Sequence, residues 1–511
     1  METPAECDVL VVGGGINGAG IARDAAGRGL STILCEKDDL AAHTSSASTK
    51  LIHGGLRYLE QLELRLVRKA LGEREILMRA APHVIWPLQF VMPHDSGQRP
   101  AWMIRAGLLL YDSLARRQLL GRSHGVALQR HPAGAPLKPS FSRGFVYADG
   151  WVDDARLVVL NAVAAAEQGA RVLTRTACSA LRRDATVWQA TLTQRDGSAG
   201  TVSARCVVNA TGPWADRFLS GTAGIDPTTR IRLIKGSHIV VRKLFDHAFA
   251  YLFQHPDGRV IFAIPYEQDF TLIGTTDVEH PGDLDRVAIT PAEIDYLCTA
   301  ASRYFRIAVT PAAVVWSYAG VRPLQDDAAG SASSVTRDYQ LQVDREGAPL
   351  LNVFGGKLTT YRKLAEEAVD AIAPLLGNRI GGWTAGACLP GGDLYGPMPS
   401  NRSVLEFDAW AVQLQAQYPW LPAWLMRRYA RAYGSRVQTI LGGRTCMADL
   451  GAEVAPGLFA AELDYLIRRE WARCADDILW RRPKCGLHLP PDAAAAIDHW
   501  IATRCLETSH P

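Results

Sequence analysis

Apolar and polar residues follow three successive patterns along the chain, and the first predicts a parallel sheet. Short, nearly continuous apolar runs occur at Asp8–Val12 and Ser31–Cys35, which is typical of strands buried on both faces. Between them, Gly13–Gly18 leads into a helical stretch that continues to Ala26. Similar apolar segments recur much later, at Ala170–Leu173, Cys206–Asn209 and Leu350–Phe354. We therefore predict a β-α-β unit and one sheet assembled from distant pieces of the sequence.

The second and third patterns differ from the first. Segments in which apolar and polar residues alternate predict an antiparallel sheet in a second domain, and they are Ile231–Val241, Arg259–Ile264 and Phe270–Gly274. From about Pro390 onward, Trp, Arg, Ala and Leu dominate at helical spacing, as in Ala461–Trp480. The last part of the chain is therefore predicted to be a helical domain.

Together these patterns predict an α/β protein with three domains. A discontinuous, Rossmann-like cofactor domain is expected over residues 1–75, 145–220 and 317–375. An α+β substrate or cap domain with the antiparallel sheet is expected over 76–144 and 221–316, and an all-α C-terminal domain over 388–511. A chain of 511 residues matches about three domains of ordinary size.

Composition and charge exclude several classes of protein. The chain is 48% hydrophobic and 21% charged, which is globular, and its net charge of +3 is too small for a general nucleic-acid binder. No apolar run is long enough to span a membrane, and Met1–Asp8 lacks a signal-peptide pattern, so a cytoplasmic location is expected. The ten cysteines form no C-x-x-C pair, so we expect reduced thiols and no metal site.

The glycine turn carries the first chemical signal. Gly13, Gly15 and Gly18 fit G-x-G-x-x-G after a strand and before a helix, where glycines allow a tight turn and close approach to a pyrophosphate. Glu36 ends the next strand, eighteen residues after Gly18, where an acid binds ribose hydroxyls. This context predicts a bound adenine dinucleotide.

Two further segments favour a flavin over NAD. Thr44–Gly55 offers small hydroxyl side chains and glycines directly after the β-α-β unit, as a bed for a ring system that extends beyond the pyrophosphate. Phe354–Thr360 repeats the sequence of strand, glycine turn and helix. A helix N-terminus there, aimed at the N1/O2 edge of a flavin, would stabilise the anionic reduced ring.

These motifs resemble the FAD-dependent, membrane-associated (aerobic) glycerol-3-phosphate dehydrogenases nearly from end to end. The matching segments are Gly13–Arg28, Thr44–Leu59, Trp151–Leu157, Asn209–Trp214, Arg232–Val241, Ile273–Val278, Gly320–Pro323, Phe354–Leu364, Glu470–Arg473, Ala475–Asp477 and Leu479–Arg482. The resemblance implies oxidation of sn-glycerol 3-phosphate to dihydroxyacetone phosphate, with hydride to flavin N5 and electrons passed to a membrane quinone. Within the family pattern, Pro483 and Cys485 are departures in the C-terminal domain, and they put its local geometry in question.

The motifs and the resemblance together give the expected site residues. The residues expected to contact FAD are Gly13, Gly15, Asn17, Gly18, Glu36, Thr44, Ser45, Ser46, Ser48, Lys50, His53, Gly54, Gly55, Thr211, Gly212, Trp214, Gly356, Lys357, Leu358 and Thr359. No His or Cys is placed by motif for a covalent flavin bond, so the FAD is expected to be noncovalent.

A phosphomonoester carries nearly two negative charges, so its site requires converging cations. Arg57, Arg322 and Lys357 each lie in a stretch that also contains candidate flavin contacts, and they are expected to bind the phosphate, with Tyr58 donating a further hydrogen bond. Arg322 is also placed in the catalytic set. His238, on an apolar strand, is the expected general base, and a hydrogen-bonded core histidine is the alternative.

The stretch from Trp102 to Arg122 combines apolar and aromatic residues with arginines, which suits an interfacial helix on anionic lipid or an amphipathic helix packed on the core. With the resemblance, we expect peripheral binding to the inner face of the cell membrane. The expected partners are glycerol 3-phosphate, a membrane quinone, anionic lipid and further copies of the chain in a homo-oligomer, with no nucleic acid.

Three other functions compete with the dehydrogenase. A glycerol-3-phosphate oxidase would pass electrons to O₂, and the substrate motifs do not distinguish it. An amine or amino-acid oxidase of the same fold would need to recognise a carboxylate and an amine. A catalytically silent, membrane-bound flavoprotein scaffold would require a broken site, and the sequence shows none.

Overall fold

The computed structural model of the protein describes residues 5–59, 62–95, 97–227, 231–325 and 338–508, except for the side chains of Arg57, Gln325 and residues 505–508. The strands are β1 (Ala5–Val12), β2 (Thr32–Cys35), β3 (Leu51–Ile52), β4 (Ile85–His94), β5 (His124–Ala127), β6 (Arg143–Val152), β7 (Arg171–Leu173), β8 (Thr176–Arg183), β9 (Trp188–Gln194), β10 (Ala199–Asn209), β11 (Ile231–Arg242), β12 (Ala250–Gln254), β13 (Val260–Tyr266), β14 (Phe270–Gly274), β15 (Val278–Glu279), β16 (Val314–Gln325), β17 (Gln340–Asp344), β18 (Leu350–Phe354), β19 (Glu453–Ala455) and β20 (Leu458–Phe459).

The α-helices are α1 (Ile16–Gly27), α2 (Leu64–Ala80), α3 (Ala101–Ser113), α4 (Asp154–Glu167), α5 (Ala215–Arg217), α6 (Pro291–Ser302), α7 (Tyr361–Ile372), α8 (Asn401–Leu405), α9 (Phe407–Gln417), α10 (Ala423–Tyr433), α11 (Val437–Leu441), α12 (Ala460–Glu470), α13 (Ala475–Arg481) and α14 (Ala493–Thr508). Short 3₁₀ helices also shape the site, and those used below are Thr44–Ser46, Leu56–Leu59 and Leu358–Thr360.

The first sheet contains the predicted parallel strands, and β17, β9 and β8 join it by antiparallel pairing. Its strand order is β17-β18-β10-β1-β2-β7, with β9 paired to β10 and β8 to β9. β1 pairs in parallel with both β2 and β10, so that Val12 lies beside Cys35 on one side and Asn209 on the other. The helix α1 packs against α4 and α7 on one face of this sheet. The five apolar runs of the sequence are thereby confirmed as neighbouring strands, in the order β18-β10-β1-β2-β7.

The second sheet is mainly antiparallel, in the order β15-β11-β14-β13-β12-β4-β6-β3, with β16 paired to β11 and β5 to β6. Residues along β11 alternate between its two faces: Ile239 and Val241 join the core under α6, whereas Val240 joins the core that holds part of α3. This alternation follows from the two-residue period of a strand. The second sheet therefore separates α6 from the side that carries α2 and α3.

The two sheets divide the chain differently from the expected ranges. β3, most of β6 and most of β16 lie inside ranges expected for the cofactor domain, yet all three pair with strands of the second sheet. β16 runs antiparallel to β11 from Val314 to Gln325, so the second sheet continues past residue 316. A strand's own pattern does not specify its partner, because pairing depends on long-range register.

Helices α9–α14 form the predicted helical domain around a separate apolar core, whereas Val404 of α8 packs in the core of the first sheet. Buried ion pairs join this domain to the rest of the chain: Arg156 binds Glu470, and the Arg482 guanidinium lies 2.9 Å from Asp39. At the departure from the family pattern, Lys484 lies between Pro483 and Cys485 with a left-handed backbone (φ 54°) and contacts Asp153 and Asp154. The local geometry there is thus held by ion pairs with α4 and its N-cap.

Candidate functional site

The glycine turn between β1 and α1 brings the backbone close to the neighbouring strand. Gly13 has a φ of +111°, and a Cβ there would lie 2.5 Å from the Ala210 carbonyl oxygen. A Cβ on Gly18 would lie 1.9 Å from the Gly13 carbonyl oxygen, so this glycine is required for packing between the helix and the turn. Two of the motif's mechanical roles, the tight turn and close packing, follow directly from these contacts.

Beside the turn lies a cavity of about 310 Å³, which we call the smaller cavity. The Glu36 carboxylate lies in its wall and accepts the Gly14 N–H at 2.6 Å and the Asp38 N–H at 2.9 Å. Burial raises the pKa of Glu36, although the hydrogen bonds from these two N–H groups favour the ionised carboxylate and partly offset that rise. The predicted residues that line this cavity are Gly13, Gly15, Asn17, Glu36, Thr44, Ser45, Thr211, Gly212, Trp214 and Gly356.

A larger cavity of about 610 Å³ adjoins the smaller one and shares wall residues with it, among them Ile16, Ser45 and Gly356. The two cavities therefore form one elongated cleft along the N-terminus of α1. The predicted residues in the larger cavity's wall are Thr44, Ser45, Ser48, His53, Gly54, Gly55, Tyr58, Arg322, Gly356, Lys357, Leu358 and Thr359.

The cleft fits FAD. Glu36, an acid suited to bind ribose hydroxyls, lies in the smaller cavity, and the N-terminus of α1 beside it is suited to a pyrophosphate. The larger cavity, lined by glycines and hydroxyl side chains, continues the cleft. Asn17, in the first turn of α1, donates from Nδ2 to the Gly355 carbonyl at 3.1 Å. Its buried Oδ1 has no hydrogen-bond partner among the described residues, which leaves an acceptor at the junction of the two cavities.

The second glycine turn meets the first at this junction. Gly355 and Gly356 have φ values of +73° and +98°, and a Cβ on Gly356 would lie 2.7 Å from Asn17 Nδ2. Lys357 then precedes the 3₁₀ helix Leu358–Thr360, which continues into α7. The Thr359 hydroxyl accepts the His53 N–H at 3.2 Å, so the two predicted flavin segments are bonded to each other.

Three of the predicted phosphate ligands share the wall of the larger cavity. The Lys357 ammonium lies 4.1 Å from the centroid of the Tyr58 ring. Arg322, from β16, is held by Asp277 at 2.6 Å and by the Thr275 hydroxyl at 3.3 Å. Arg57 lies in the 3₁₀ helix Leu56–Leu59 beside Tyr58, but its side chain is outside the described residues.

His238 lies behind this wall, and its side chain is fully buried. Its Nε2 is 3.0 Å from the Thr49 hydroxyl, which does line the larger cavity, and its ring stacks on Tyr318 at 4.8 Å. Burial lowers the pKa of His238 well below its ordinary value, and the nearby Arg322 and Lys50 cations add to that effect. The histidine is therefore neutral and one side chain removed from the cavity. Its role as the base stays a prediction.

Two predicted cofactor residues, Ser46 and Lys50, line a separate cavity of about 440 Å³ instead of the cleft. The buried Lys50 ammonium binds the Asp154 carboxylate at 2.9 Å, and Lys484 binds the same carboxylate at 2.9 Å. Burial opposes ionisation of Asp154, but these two cations lower its pKa to about 2. The structure thus corrects the expectation for Lys50, because its charge is satisfied by Asp154 away from the cleft.

Further polar residues in the wall of the larger cavity were not predicted from the sequence, among them Thr49, Asp149, Thr275 and Asp277. Thr275 and Asp277 lie in a segment that was recognised only for its resemblance. Their position beside Arg322 depends on the pairing of β11 with both β14 and β16. The acid at Asp149 lies on a strand that ends in an apolar run, and no local pattern distinguishes it.

Comparisons with known proteins agree with this site. The family model for FAD dependent oxidoreductases matches residues 8–362. The glycerol-3-phosphate dehydrogenase of Pseudomonas aeruginosa is 51% identical over 99% of this chain and 96% of its own length. The aerobic glycerol-3-phosphate dehydrogenase of Escherichia coli is 47% identical over 98% of both chains, and the D-erythritol 1-phosphate dehydrogenase of Brucella abortus is 48% identical over 98% and 99%.

Among solved structures, the glycerol-3-phosphate dehydrogenase from Bacillus halodurans complexed with FAD matches with a TM-score of 0.77 and 29% identity. The match covers 98% of this chain and 90% of that one. Within the described part of the chain, no helix has both the length and the apolar character needed to cross a membrane.

Proposed function

Because this chain belongs to the FAD-dependent oxidoreductase family, and within it to the glycerol-3-phosphate dehydrogenases, we propose that it oxidises sn-glycerol 3-phosphate to dihydroxyacetone phosphate. FAD, when bound in the cleft, supplies the hydride acceptor. The observation that carries the proposal is the convergence of Tyr58, Arg322 and Lys357 on the wall of the larger cavity, beside the two glycine turns. Two cations and a phenol suit a phosphate dianion.

The chain's own residues have three tasks in this reaction. Arg322 and Lys357 bind and orient the phosphate, and the Tyr58 hydroxyl donates a further hydrogen bond. The substrate hydroxyl must lose its proton as hydride leaves, which requires a base within reach. We infer that this proton passes by way of the Thr49 hydroxyl to the neutral His238, because Thr49 lies in the cavity wall and also contacts the His238 ring.

Anaerobic reduction of the bound flavin tests the substrate assignment directly. Glycerol 3-phosphate should bleach the flavin absorbance, whereas glycerol and D-amino acids at the same concentration should not. D-erythritol 1-phosphate is a necessary further arm, because one close relative carries that name. If D-erythritol 1-phosphate reduced the flavin much faster than glycerol 3-phosphate, the substrate assignment would be wrong. If no phosphorylated polyol reduced the flavin, the result would support the catalytically silent flavoprotein scaffold.

We further propose that the electrons pass to a membrane quinone. Exposed apolar residues on α3 support an enzyme that acts at the membrane surface. Peroxide formed per flavin turnover in air separates this function from an oxidase: a dehydrogenase should make little peroxide and should reduce a short-chain quinone rapidly. Stoichiometric peroxide with no gain from quinone would assign the chain to the oxidases. The expected homo-oligomer stays a prediction.

The surface for lipid is the outer side of α3, which we call the α3 patch: Trp102, Met103, Leu109 and Leu110. The Trp102 side chain is 70% exposed, and Leu62, which follows the 3₁₀ helix Leu56–Leu59 that contacts α3, is 79% exposed. Exposed arginines lie on α2 and in the segment that follows α3, namely Arg65, Arg68, Arg116 and Arg122. Apolar side chains with flanking cations match an anionic bilayer surface. We propose that this patch rests on the inner face of the cell membrane.

Flotation with lipid vesicles tests the α3 patch. The holoenzyme should float with phosphatidylglycerol vesicles, and Leu109→Asp should weaken flotation strongly because it places a charge among the apolar side chains. Leu405→Asp is the matched control, since Leu405 is also well exposed but lies in the helical domain. Equal flotation of the parent and Leu109→Asp would exclude α3 as the lipid surface.

A further inference from the structure

Helix α3 has an inner side that is tied to the cleft. Its fully buried residues are Leu108 and Tyr111, and both belong to the core beneath the second sheet, together with Phe90 and Leu252 from the cavity wall. The α3 patch lies on the opposite, exposed side. The helix therefore contacts solvent with one side and the surroundings of the larger cavity with the other.

The Tyr111 hydroxyl makes the polar connection. It accepts the Gly54 N–H at 2.8 Å, and it lies 2.9 Å from both carboxylate oxygens of Asp149, to which it donates. The direction is settled by chemistry, because the ionised carboxylate only accepts and the backbone N–H only donates. Arg74 binds the same carboxylate, and the side chains of Tyr111 and Asp149 are both buried. All three groups are thus held in one arrangement.

The turn that receives this hydrogen bond has little freedom to move. A Cβ on Gly54 would lie 2.5 Å from Leu71 Cδ2 and 2.6 Å from Tyr111 Oη. Gly55 has a φ of +75°, and a Cβ there would lie 2.2 Å from the Tyr58 ring. The Gly55 carbonyl accepts the Tyr58 N–H at 2.9 Å. A displacement of Tyr111 is therefore transmitted through the turn to Tyr58.

We propose that Tyr111 is a positioning residue, which fixes the Gly54–Gly55 turn and thereby the substrate-binding Tyr58, and which couples that turn to contact of α3 with lipid. The coupling rests on the proposed lipid function of the α3 patch, whereas the positioning does not. The same turn lines the larger cavity, so its placement affects how well substrate is bound. Tyr111 itself does not line the larger cavity.

The test compares Tyr111→Phe holoenzyme with the parent, using a soluble dye as the electron acceptor. Removing the hydroxyl leaves the Gly54 N–H without its acceptor, so the KM for glycerol 3-phosphate should rise by about fivefold while kcat changes less than twofold. Tyr251→Phe is the control, because Tyr251 is equally buried in the second sheet but donates to the Ala133 carbonyl. Its KM should match that of the parent.

A second readout does not depend on turnover. Phosphatidylglycerol vesicles should slow hydrogen exchange in a peptide spanning residues 51–58 of the parent, and should lower its KM. Tyr111→Phe should float equally well but show neither response. An unchanged KM in Tyr111→Phe, or a vesicle response equal to that of the parent, would overturn the proposal.

The outcomes separate the two ideas. If the parent does not float, the lipid function fails and the coupling fails with it, whereas the KM of Tyr111→Phe in solution still decides the positioning. If Tyr111→Phe does not retain FAD, the parent's exchange response decides the coupling: protection at 51–58 supports it, and no change at that segment with intact flotation refutes it.

Discussion

Replacement of Arg322 by alanine gives the sharpest test of phosphate recognition. The guanidinium lies 2.6 Å from Asp277 and 3.3 Å from the Thr275 hydroxyl, and its side chain remains 32% exposed to the cavity. Arg322→Ala removes the proposed charged hydrogen bonds to the phosphate and leaves the Asp277 carboxylate without this guanidinium. The loss of one charged hydrogen bond to the dianion is worth about 1.5–3 kcal/mol, or about 10- to 150-fold in kcat/KM.

Anaerobic single-turnover reduction of the flavin measures this effect without interference from the electron acceptor. The flavin content of the variant should equal that of the parent, because Arg322 lies in the wall of the larger cavity, away from Glu36. Arg322→Ala combined with Asp277→Asn should recover part of the loss, since it removes the carboxylate facing the phosphate. Arg303→Ala is the matched control. Arg303 lines the same cavity, but its side chain is 46% exposed and its ion pair with Asp95 is long, at 3.5 Å.

Either of two results would contradict phosphate binding at Arg322. An unchanged kcat/KM in Arg322→Ala would place the phosphate elsewhere in the cavity. An equal loss in Arg303→Ala would show that general positive charge, and not the geometry at Arg322, attracts the substrate. A loss confined to Arg322→Ala, and smaller at saturating substrate, is the result expected for a group that binds the substrate in its ground state.

Three further predictions concern the cofactor, the base and stability. Denatured protein should release its FAD into the supernatant, and flavin that stays with the precipitate would show a covalent bond. Burial and two neighbouring cations keep the pKa of His238 well below 6.5, so single-turnover reduction should show no inflection from this group between pH 6 and 8, and His238→Ala should be slower by about 100-fold or more. Arg156→Ala leaves Glu470 charged and buried and should cost about 3–5 kcal/mol in urea unfolding, whereas Arg402→Ala, at an exposed pair, should cost under about 1 kcal/mol.

Much of the cofactor site could be predicted because its signals are local. Gly13, Gly15 and Glu36 belong to one β-α-β unit, and strand, turn and helix there are specified within about 30 residues. The second glycine turn at Gly355 was recognised by the same local logic. In the structure the two turns meet at one junction, because the strands that precede them, β1 and β18, belong to one sheet although they are distant in the sequence.

The proposed phosphate ligands and base depended on longer-range geometry. Tyr58, Arg322 and Lys357 come from three separate elements, and the expectation that they act together rested on the resemblance and on their neighbouring flavin motifs. His238 was expected at the reacting centre, but the pairing of β11 with β14 and β16 places its ring behind Thr49. The side of a sheet on which a residue lies follows from strand pairing, which the strand's own sequence does not specify.

Local sequence patterns were enough to specify the elements and their chemistry, namely the apolar runs, the glycine turns, the acid after β2 and the helical C-terminal domain. Which charges are free to bind a ligand, and which are used within the fold, depended instead on contacts formed in the folded chain. Lys50 lies among the flavin motifs, yet it is bound by Asp154, a carboxylate that it shares with Lys484 from the far end of the chain. A buried charge must find a partner wherever the folded chain supplies one, so its role is set by contacts between residues hundreds of positions apart.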